Sequence, residues 1–213
     1  MAKRRQRMPP KDDYYSLATI VCVIDGDTVE LKTGERVRLI GMDAPEQKQL
    51  YSTRATKRLE DMLEGHEDVV LERDIRNLDC YERLLRYIWI EDRVYDGKFM
   101  RLMKDMMLSE KVEKMYSANL RMVWDGLAKN KAVTPDIRYA DLLLHAKRVA
   151  KKRKLGMWRF PSWAKFGAIK KNGLYHPVDS PKLDGLTSSQ VVLYKSYRKA
   201  EREGYRPAGE GKS

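Results

Sequence analysis

Polar and apolar residues alternate in three short segments near the start of the chain. The alternation runs through Ile20–Ile24, Val29–Leu31 and Val37–Leu39, and it predicts three β-strands because side chains two positions apart share one face of a strand. Asp25–Gly26 and Lys32–Gly34 lie between these segments and supply the residues that tight turns require. The sequence therefore predicts a three-stranded meander.

One helix is predicted after the meander. Apolar residues recur every three or four positions from Leu50 to Leu63, as in a helix that packs one face on a core. Ser52 or Thr53 could cap the start of this helix, and Gly65 lies just past its end.

Two more strands and two more helices complete the pattern. Val69–Arg73 and Arg83–Ile90 are rich in branched and aromatic residues and predict strands. Phe99–Asp125 carries methionine and leucine side chains at helical spacing, and Asp136–Lys154 predicts a long basic helix. Five strands with a helix after the third is the order of an OB-type barrel. We therefore predict an α+β fold with a mostly β core, a five-stranded OB-fold barrel and at least three helices.

Candidate chemistry is concentrated at one edge of the meander. Three carboxylates, Asp27, Asp43 and Glu46, flank the second and third strands, and Arg38 lies between the two aspartates. Antiparallel pairing of these strands places the start of one beside the end of the other, which gathers the side chains. Hard oxygen ligands suit Ca²⁺ or Mg²⁺, and an arginine suits a phosphate. This set fits phosphodiester hydrolysis, and the alternative is a solvated acidic turn of a small barrel.

The charge balance indicates a polyanionic partner. Lys and Arg number 43 against 31 Asp and Glu, which gives a formal net charge of +12. Such a balance favours nucleic-acid binding, and a basic surface that serves solubility alone is the alternative. No apolar run approaches the roughly 18 residues that a membrane helix needs, so we expect no membrane association.

The first residues and the cysteines bear on the compartment. The basic residues at the start of the chain are followed by Pro9, Pro10 and charged residues and not by an apolar core, so we predict a disordered tail at residues 1–13 and not a secretory signal. The chain has two cysteines, Cys22 and Cys80. Cys22 falls in a strand pattern and is predicted to be buried, and a bridge between the two stays open. We therefore expect a cytoplasmic protein.

Four motifs resemble the staphylococcal nuclease (thermonuclease) family. Three follow one another in the meander: Val23–Val29 (V-I-D-G-D-T-V), Arg38–Leu39 and Asp43–Glu46 (D-A-P-E). The fourth, Asp79–Arg83 (D-C-Y-E-R), is similar to the family's D-x-Y-G-R loop, with Glu82 in place of its glycine. If that glycine has a positive φ, Glu82 is strained.

The resemblance implies a calcium-dependent nuclease that cleaves DNA and RNA and leaves a 3′-phosphate and a 5′-hydroxyl. It also implies a site made of metal ligands, catalytic groups and one nucleotide contact. The implied metal ligands are Asp27, Asp43 and the backbone carbonyl of Ala44. The implied catalytic groups are Glu46, which prepares the attacking water, and Arg38 and Arg83, which bind the phosphate. The implied nucleotide contact is Tyr81.

The resemblance extends to the domain organisation. The family's G-L-A-K and G-x-W motifs occur at Gly126–Lys129 and Gly156–Trp158. The first of them comes late, which implies a helical insertion at about 99–125. We expect a nuclease-like domain at 14–160 and a small, partly flexible appendage at 161–213.

The appendage is similar to small zinc modules that follow some nucleases. Its segments Tyr175–Pro181 and Gly204–Ala208 match the start and end of such a module, but Ser180 and Ala208 replace the cysteines. Because thiolates make such a site bind zinc, we expect no zinc here. A metal-free hairpin with a short helix and a partly disordered tail are the two alternatives.

Two functions other than a nuclease are compatible with the residues. A non-catalytic OB-fold module would bind nucleic acid without cutting it, and Glu82 beside Arg83 is the feature in its favour. A scaffold would contact partners through the methionine-rich insertion and would show no salt-dependent affinity for DNA. We expect the nuclease to act as a monomer.

Overall fold

The computed structural model describes residues 14–66, 68–91 and 115–209. The predicted tail at 1–13 and most of the predicted helix at 99–125 lie outside these residues.

The described residues form an α+β structure. The strands are β1 (Tyr15–Ala18), β2 (Ile20–Asp25), β3 (Thr28–Leu31), β4 (Arg36–Leu39), β5 (Gly41–Asp43), β6 (Val69–Leu78), β7 (Leu84–Glu91), β8 (Met115–Ser117), β9 (Lys129–Lys131), β10 (Phe166–Ile169), β11 (Leu174–Pro177), β12 (Val191–Tyr194) and β13 (Arg206–Pro207). The helices are α1 (Ser52–Leu63), α2 (Ala118–Trp124), α3 (Ala140–Arg153) and α4 (Tyr197–Arg202), and none of these is long and apolar enough to cross a membrane.

The main sheet contains the five predicted strands and two more. Its order is β1-β6-β7-β4-β3-β2, with β8 also paired to β7. The pairs β2–β3 and β3–β4 are antiparallel, as the meander predicts. Strand β1, which the prediction missed, continues into β2 across Thr19 alone. In this order β1, which pairs with β6, is the first strand, and β2, which pairs with β3, is the last. The continuous stretch therefore connects the first and last strands of the sheet.

Helix α1 lies where it is predicted, but its start is not fixed by the predicted caps. Ser52 and Thr53 are the first two residues of the helix, and the N-cap position belongs to Tyr51. Tyr51 is left-handed, with a φ of 71°, and makes no side-chain cap bond. Its backbone N–H donates instead to the carboxylate of Asp179 at 2.8 Å. A distant residue thus stabilises this end of the helix.

Two further predictions are wrong. The helical prediction fails at Met115–Ser117, because this segment pairs antiparallel with β7 as strand β8 before α2 begins. Cys22 is exposed and not buried, since the register of β2 shifts between Ile20 and Cys22. Both Cys22 and Cys80 are free thiols, so no bridge joins them.

A buried carboxylate connects β6 to the residues before α3. Glu72 is fully buried and accepts hydrogen bonds from the indole N–H of Trp89 at 2.7 Å and the hydroxyl of Tyr139 at 3.0 Å. It also forms an ion pair with Arg138. Because a buried charge requires partners of this kind, the network depends on every member.

We expect Glu72→Ala to lower the free energy of unfolding by about 3 to 5 kcal/mol, because it leaves the buried donors of this network without their acceptor. Urea denaturation followed by circular dichroism measures the loss. The matched control is Glu30→Ala, since Glu30 forms an exposed pair with Arg36 at 3.7 Å. The control should change stability by less than about 0.5 kcal/mol. A loss below about 1 kcal/mol for Glu72→Ala would contradict the prediction.

Residues 161–209, called the C-terminal segment below, form a second, four-stranded sheet. Its order is β12-β10-β11-β13, and helix α4 packs against it. The β10–β11 hairpin and α4 correspond to the first of the two predicted alternatives. Ala164 and Val178 of this segment are buried in the main hydrophobic core. The small core of the second sheet consists of Ala168, Tyr175, Tyr194 and Ala200.

Candidate active site

A cleft of about 390 Å³ opens where the β2–β3 turn, β4, β5 and the β6–β7 loop meet. Six of the seven predicted site residues line this cleft. They are Asp27, Arg38, Asp43, Glu46, Tyr81 and Arg83. The seventh, Ala44, lines an adjoining groove.

The pairing of β3 with β4 brings the first carboxylate and the first arginine together. Thr28 lies opposite Arg38 in the ladder, so Asp27 comes just before the paired residues. The backbone N–H of Leu39 then donates to the backbone carbonyl of Asp27 at 2.9 Å. The antiparallel register predicted from the alternation therefore places both side chains at one end of the meander.

The carboxylate of Asp27 is nearly enclosed, with 7% of the residue exposed. Its Oδ2 accepts the backbone N–H of Ala44 at 2.8 Å and pairs with Nη2 of Arg38 at 2.9 Å. Its Oδ1 accepts the hydroxyl of Thr28 at 3.1 Å. Burial raises the pKa of Asp27 to about 6, although Arg38 and the Ala44 amide act in the opposite direction. The single guanidinium of Arg38 therefore does not fully offset the cost of burying the negative charge of Asp27.

Asp43 is positioned by a two-stranded ribbon of β5 and β9, in which it lies opposite Lys129. Its Oδ1 accepts a hydrogen bond from Nη2 of Arg38 at 3.2 Å and another from Nζ of Lys131 at 2.9 Å. Because Nη2 of Arg38 contacts both Asp27 and Asp43, the two carboxylates share one cation. Their oxygens are therefore close enough for a single positive group to contact both.

The loop between β6 and β7 holds the second arginine. The guanidinium of Arg83 donates from Nε to Asp79 at 2.8 Å and approaches the hydroxyl of Thr28 with Nη1 at 3.5 Å. It also lies over the ring of Tyr81, 5.3 Å from the centroid. Burial tends to raise the pKa of Asp79, but N–H groups of Arg83 and Tyr81 together hold it below its ordinary value. Asp79 is thus an ionised anchor for Arg83.

Glu82 has a φ of 61°, in the left-handed region that favours glycine. Glu82 therefore carries the backbone strain that was predicted for a residue with a positive φ at this position. Glu82 also places a carboxylate next to Arg83 in the sequence.

Glu46 lines the same cleft as the two aspartates. It is exposed, and its backbone forms a turn with Gln49, whose N–H donates to the Glu46 carbonyl at 3.0 Å. Among the residues that the structure describes, no three His, Cys, Asp or Glu side chains group closely enough to hold a metal ion. Asp27, Asp43 and Glu46 therefore share a cleft without forming a three-carboxylate ligand set.

The donor chemistry of the cleft fits a divalent cation bound by oxygen. Asp27 and Asp43 present hard carboxylate oxygens. Nη2 of Arg38 contacts both carboxylates, so one positive group is already placed between them. The raised pKa of Asp27 indicates that a further cation would be stabilising there. Two carboxylates with a backbone carbonyl and water would suit a flexible oxygen site such as that of Ca²⁺.

Comparison with known proteins connects this geometry to a family. The family model described as staphylococcal nuclease homologue matches residues 36–160. The chain belongs to the staphylococcal nuclease family. It is similar to a thermonuclease of Staphylococcus intermedius, with 32% identity over 145 residues that cover 64% of this chain and 72% of that protein. It is also similar to a micrococcal nuclease of Shigella flexneri, with 27% identity over 146 residues that cover 67% of this chain and 74% of that protein.

The G-L-A-K segment at Gly126–Lys129 and the G-x-W segment at Gly156–Trp158 pack directly on each other. The backbone N–H of Met157 in G-x-W donates to the carbonyl of Gly126 in G-L-A-K at 2.9 Å. Gly126 has a φ of 72°, and a Cβ there would lie 2.4 Å from the carbonyl oxygen of Leu155. Only glycine permits this approach. Strand β9, which carries Lys131, begins three residues later.

Four further residues belong to the described site and were not predicted from the sequence. Lys131 pairs with Asp43, and Asp25 accepts the backbone N–H of Asp27 at 2.9 Å. Thr28 contacts both Asp27 and Arg83, and Asp79 orients Arg83. Three of the four lie inside the motifs quoted above, so their place in those motifs could have identified them as site residues. The missed residues are Asp25, Thr28, Asp79 and Lys131.

Proposed function

We propose that this chain is a calcium-dependent endonuclease that hydrolyses phosphodiester bonds of DNA and RNA, leaving a 3′-phosphate and a 5′-hydroxyl. The observation that carries the proposal is the convergence on one cleft of the arginines and carboxylates that the resemblance implies, which are Arg38, Arg83, Asp27, Asp43 and Glu46. Relatives named thermonuclease and micrococcal nuclease support the same activity. The net charge of +12 favours a polyanionic substrate.

In this proposal Asp27, Asp43 and the carbonyl of Ala44 hold Ca²⁺. The chemistry that the bound ion supplies is neutralisation of negative charge on the phosphoryl oxygens. Asp27 is fixed for this task by its hydrogen bonds from Thr28 and the Ala44 amide. Lys131 keeps Asp43 in place from the other strand of the ribbon.

The remaining side chains act on the phosphate and the water. The carboxylate of Glu46 accepts a proton from the attacking water, for which its exposed position on the cleft is suited. The guanidinium groups of Arg38 and Arg83 donate to the phosphate and stabilise the charge that develops as the bond to the 5′-oxygen breaks. Tyr81 offers its exposed ring to the adjoining nucleotide.

We also propose an OB-type barrel for the nuclease-like domain. The joining of β1 and β2 across Thr19 supports it, because a barrel requires the two ends of the sheet to meet. Domain boundaries at 14–160 and 161–213, a monomeric state and a cytoplasmic location stay predictions.

A non-catalytic nucleic-acid-binding module is the second candidate function. The observation that favours it is Glu82, whose carboxylate neighbours Arg83 and whose left-handed backbone departs from the usual preference for glycine. A negative charge at that position would compete with substrate phosphate for Arg83.

Nicking of supercoiled plasmid decides between the two candidates. We expect nicking with Ca²⁺ and a loss of at least about 100-fold when a chelator replaces it, because the carboxylates alone cannot neutralise the phosphate. The cut ends should resist extension by a DNA polymerase until a phosphatase removes the 3′-phosphate. Cutting that survives chelation would contradict the calcium role, and salt-dependent binding without cutting would establish the second candidate.

A further inference from the structure

A second groove, of about 480 Å³, adjoins the catalytic cleft. The two cavities share Asp43 and Glu46 in their walls, whereas Tyr81 and Arg83 line the cleft alone. A strand bound in the cleft can therefore continue past Glu46 into the groove. The volume is within the range of small-ligand sites and is sufficient for a nucleotide.

The C-terminal segment supplies much of the far wall of this groove. Pro161, Ser162, Ala164, Lys165 and Val178 all line it, and they lie beyond the end of the family match at residue 160. The wall is therefore specific to the appended part of the chain and is not a part of the family domain.

The lining has the composition of a site for single-stranded nucleic acid. Trp158 and Phe160 are half-buried aromatic residues, and each has a cation of the chain over its ring, Lys151 at 4.6 Å and Arg159 at 4.8 Å from the centroid. The exposed lysines Lys129 and Lys165 carry positive charge. Aromatic rings that stack on bases, together with cations that contact the backbone, are how proteins bind single strands without reading sequence.

Specific contacts hold this wall against the nuclease-like domain. Asp179 accepts the backbone N–H of Tyr51 at 2.8 Å, and the hydroxyl of Tyr51 donates to the carbonyl of Val178 at 3.3 Å. Arg54 forms two hydrogen bonds with Asp184, at 3.1 and 3.2 Å. The groove is therefore bounded on both sides by positioned residues.

The proposed reaction determines on which side of the scissile phosphate the nucleotides in the groove lie. In an in-line displacement the water enters opposite the leaving 5′-oxygen, so the nucleoside that carries this oxygen lies away from Glu46. The groove begins at Glu46. We propose that it binds the nucleotides on the 5′ side of the scissile phosphate, which keep the 3′-phosphate after cleavage. This inference rests on the proposed function.

A chromogenic series tests the proposal. One, two or three thymidylates carry a 4-nitrophenyl ester on the 3′-terminal phosphate, and water replaces 4-nitrophenol to leave the 3′-phosphate. We expect kcat/KM of the wild-type chain to rise about tenfold from one to three nucleotides, because each added nucleotide brings a base and a phosphate into the groove.

Lys165→Glu should reduce that rise to less than about threefold. Lys170→Glu is the matched control, because Lys170 is an exposed lysine of the same segment that does not line the groove, and it should keep the full rise. A wild-type rate independent of length, or a rise retained in Lys165→Glu, would overturn the groove alone. Absence of 4-nitrophenol release while plasmid nicking is retained would overturn the groove alone, and absence of both activities would overturn the nuclease proposal with it.

Discussion

Replacement of Arg83 by alanine is expected to lower kcat/KM for oligonucleotide cleavage by about 10²- to 10³-fold. The guanidinium lies in the cleft between Asp79 and Thr28, where a substrate phosphate would gain two donors from it. Folding should be unaffected, because the carboxylate of Asp79 keeps the backbone N–H groups of Tyr81 and Arg83 at 2.9 and 3.0 Å. Initial rates on a labelled single-stranded oligonucleotide and thermal melting by circular dichroism measure the two effects.

Two variants separate a catalytic role from a general effect of charge. Arg83→Lys keeps the positive charge without the planar pair of donors, so we expect it to recover only part of the lost rate. Arg36→Ala removes an exposed arginine of β4 that pairs with Glu30 outside the cleft, and it should leave the rate within about twofold. Equal rates for Arg83→Ala and the wild type would remove Arg83 from the catalytic set.

The Asp27→Asn variant should be more stable than the wild type at pH 7 in the absence of metal, by up to about 3 kcal/mol. Burial raises the pKa of Asp27 from 3.8 to about 6, so between these values the folded state binds a proton that the unfolded state has released. Stability therefore falls as the pH rises from about 4 to about 6, and the full cost is present at pH 7. An asparagine does not titrate and avoids this cost.

Urea denaturation at pH 4 and pH 7, in the presence of a chelator, measures the difference. Asp61→Asn is the matched control, because Asp61 forms an exposed pair with Lys57 on α1 and should change stability by less than about 0.5 kcal/mol at both pH values. Addition of Ca²⁺ should raise the Tm of the wild type and leave that of Asp27→Asn unchanged. A loss of stability at pH 7 for Asp27→Asn without metal would show that the ion pair with Arg38 outweighs burial.

The meander and the main site residues could be predicted because their signals are local. Alternation specifies β2, β3 and β4, and the antiparallel register then brings Asp27 to Arg38 without further information. The loop that holds Arg83 was found from a short motif. In these cases sequence neighbours and spatial neighbours nearly coincide.

The parts that could not be predicted depend on contacts between distant segments. The β5–β9 ribbon consists of two three-residue strands, which are too short to show a period, and so Lys131 was missed. Strand β1 is mostly exposed and is fixed by its backbone pairing with β6, so it shows no apolar alternation. The N-cap of α1 was assigned by residue type, whereas a carboxylate from the C-terminal segment determines it.

That carboxylate has a consequence for the order of events during synthesis. Asp179 lies 128 residues after the amide it accepts. A ribosome completes α1 and the residues that line the catalytic cleft before it adds Asp179, so we expect the first turn of the helix to be less stable on the nascent chain. We expect the nuclease-like domain to reach its final rigidity only after translation has passed the hairpin of β10 and β11.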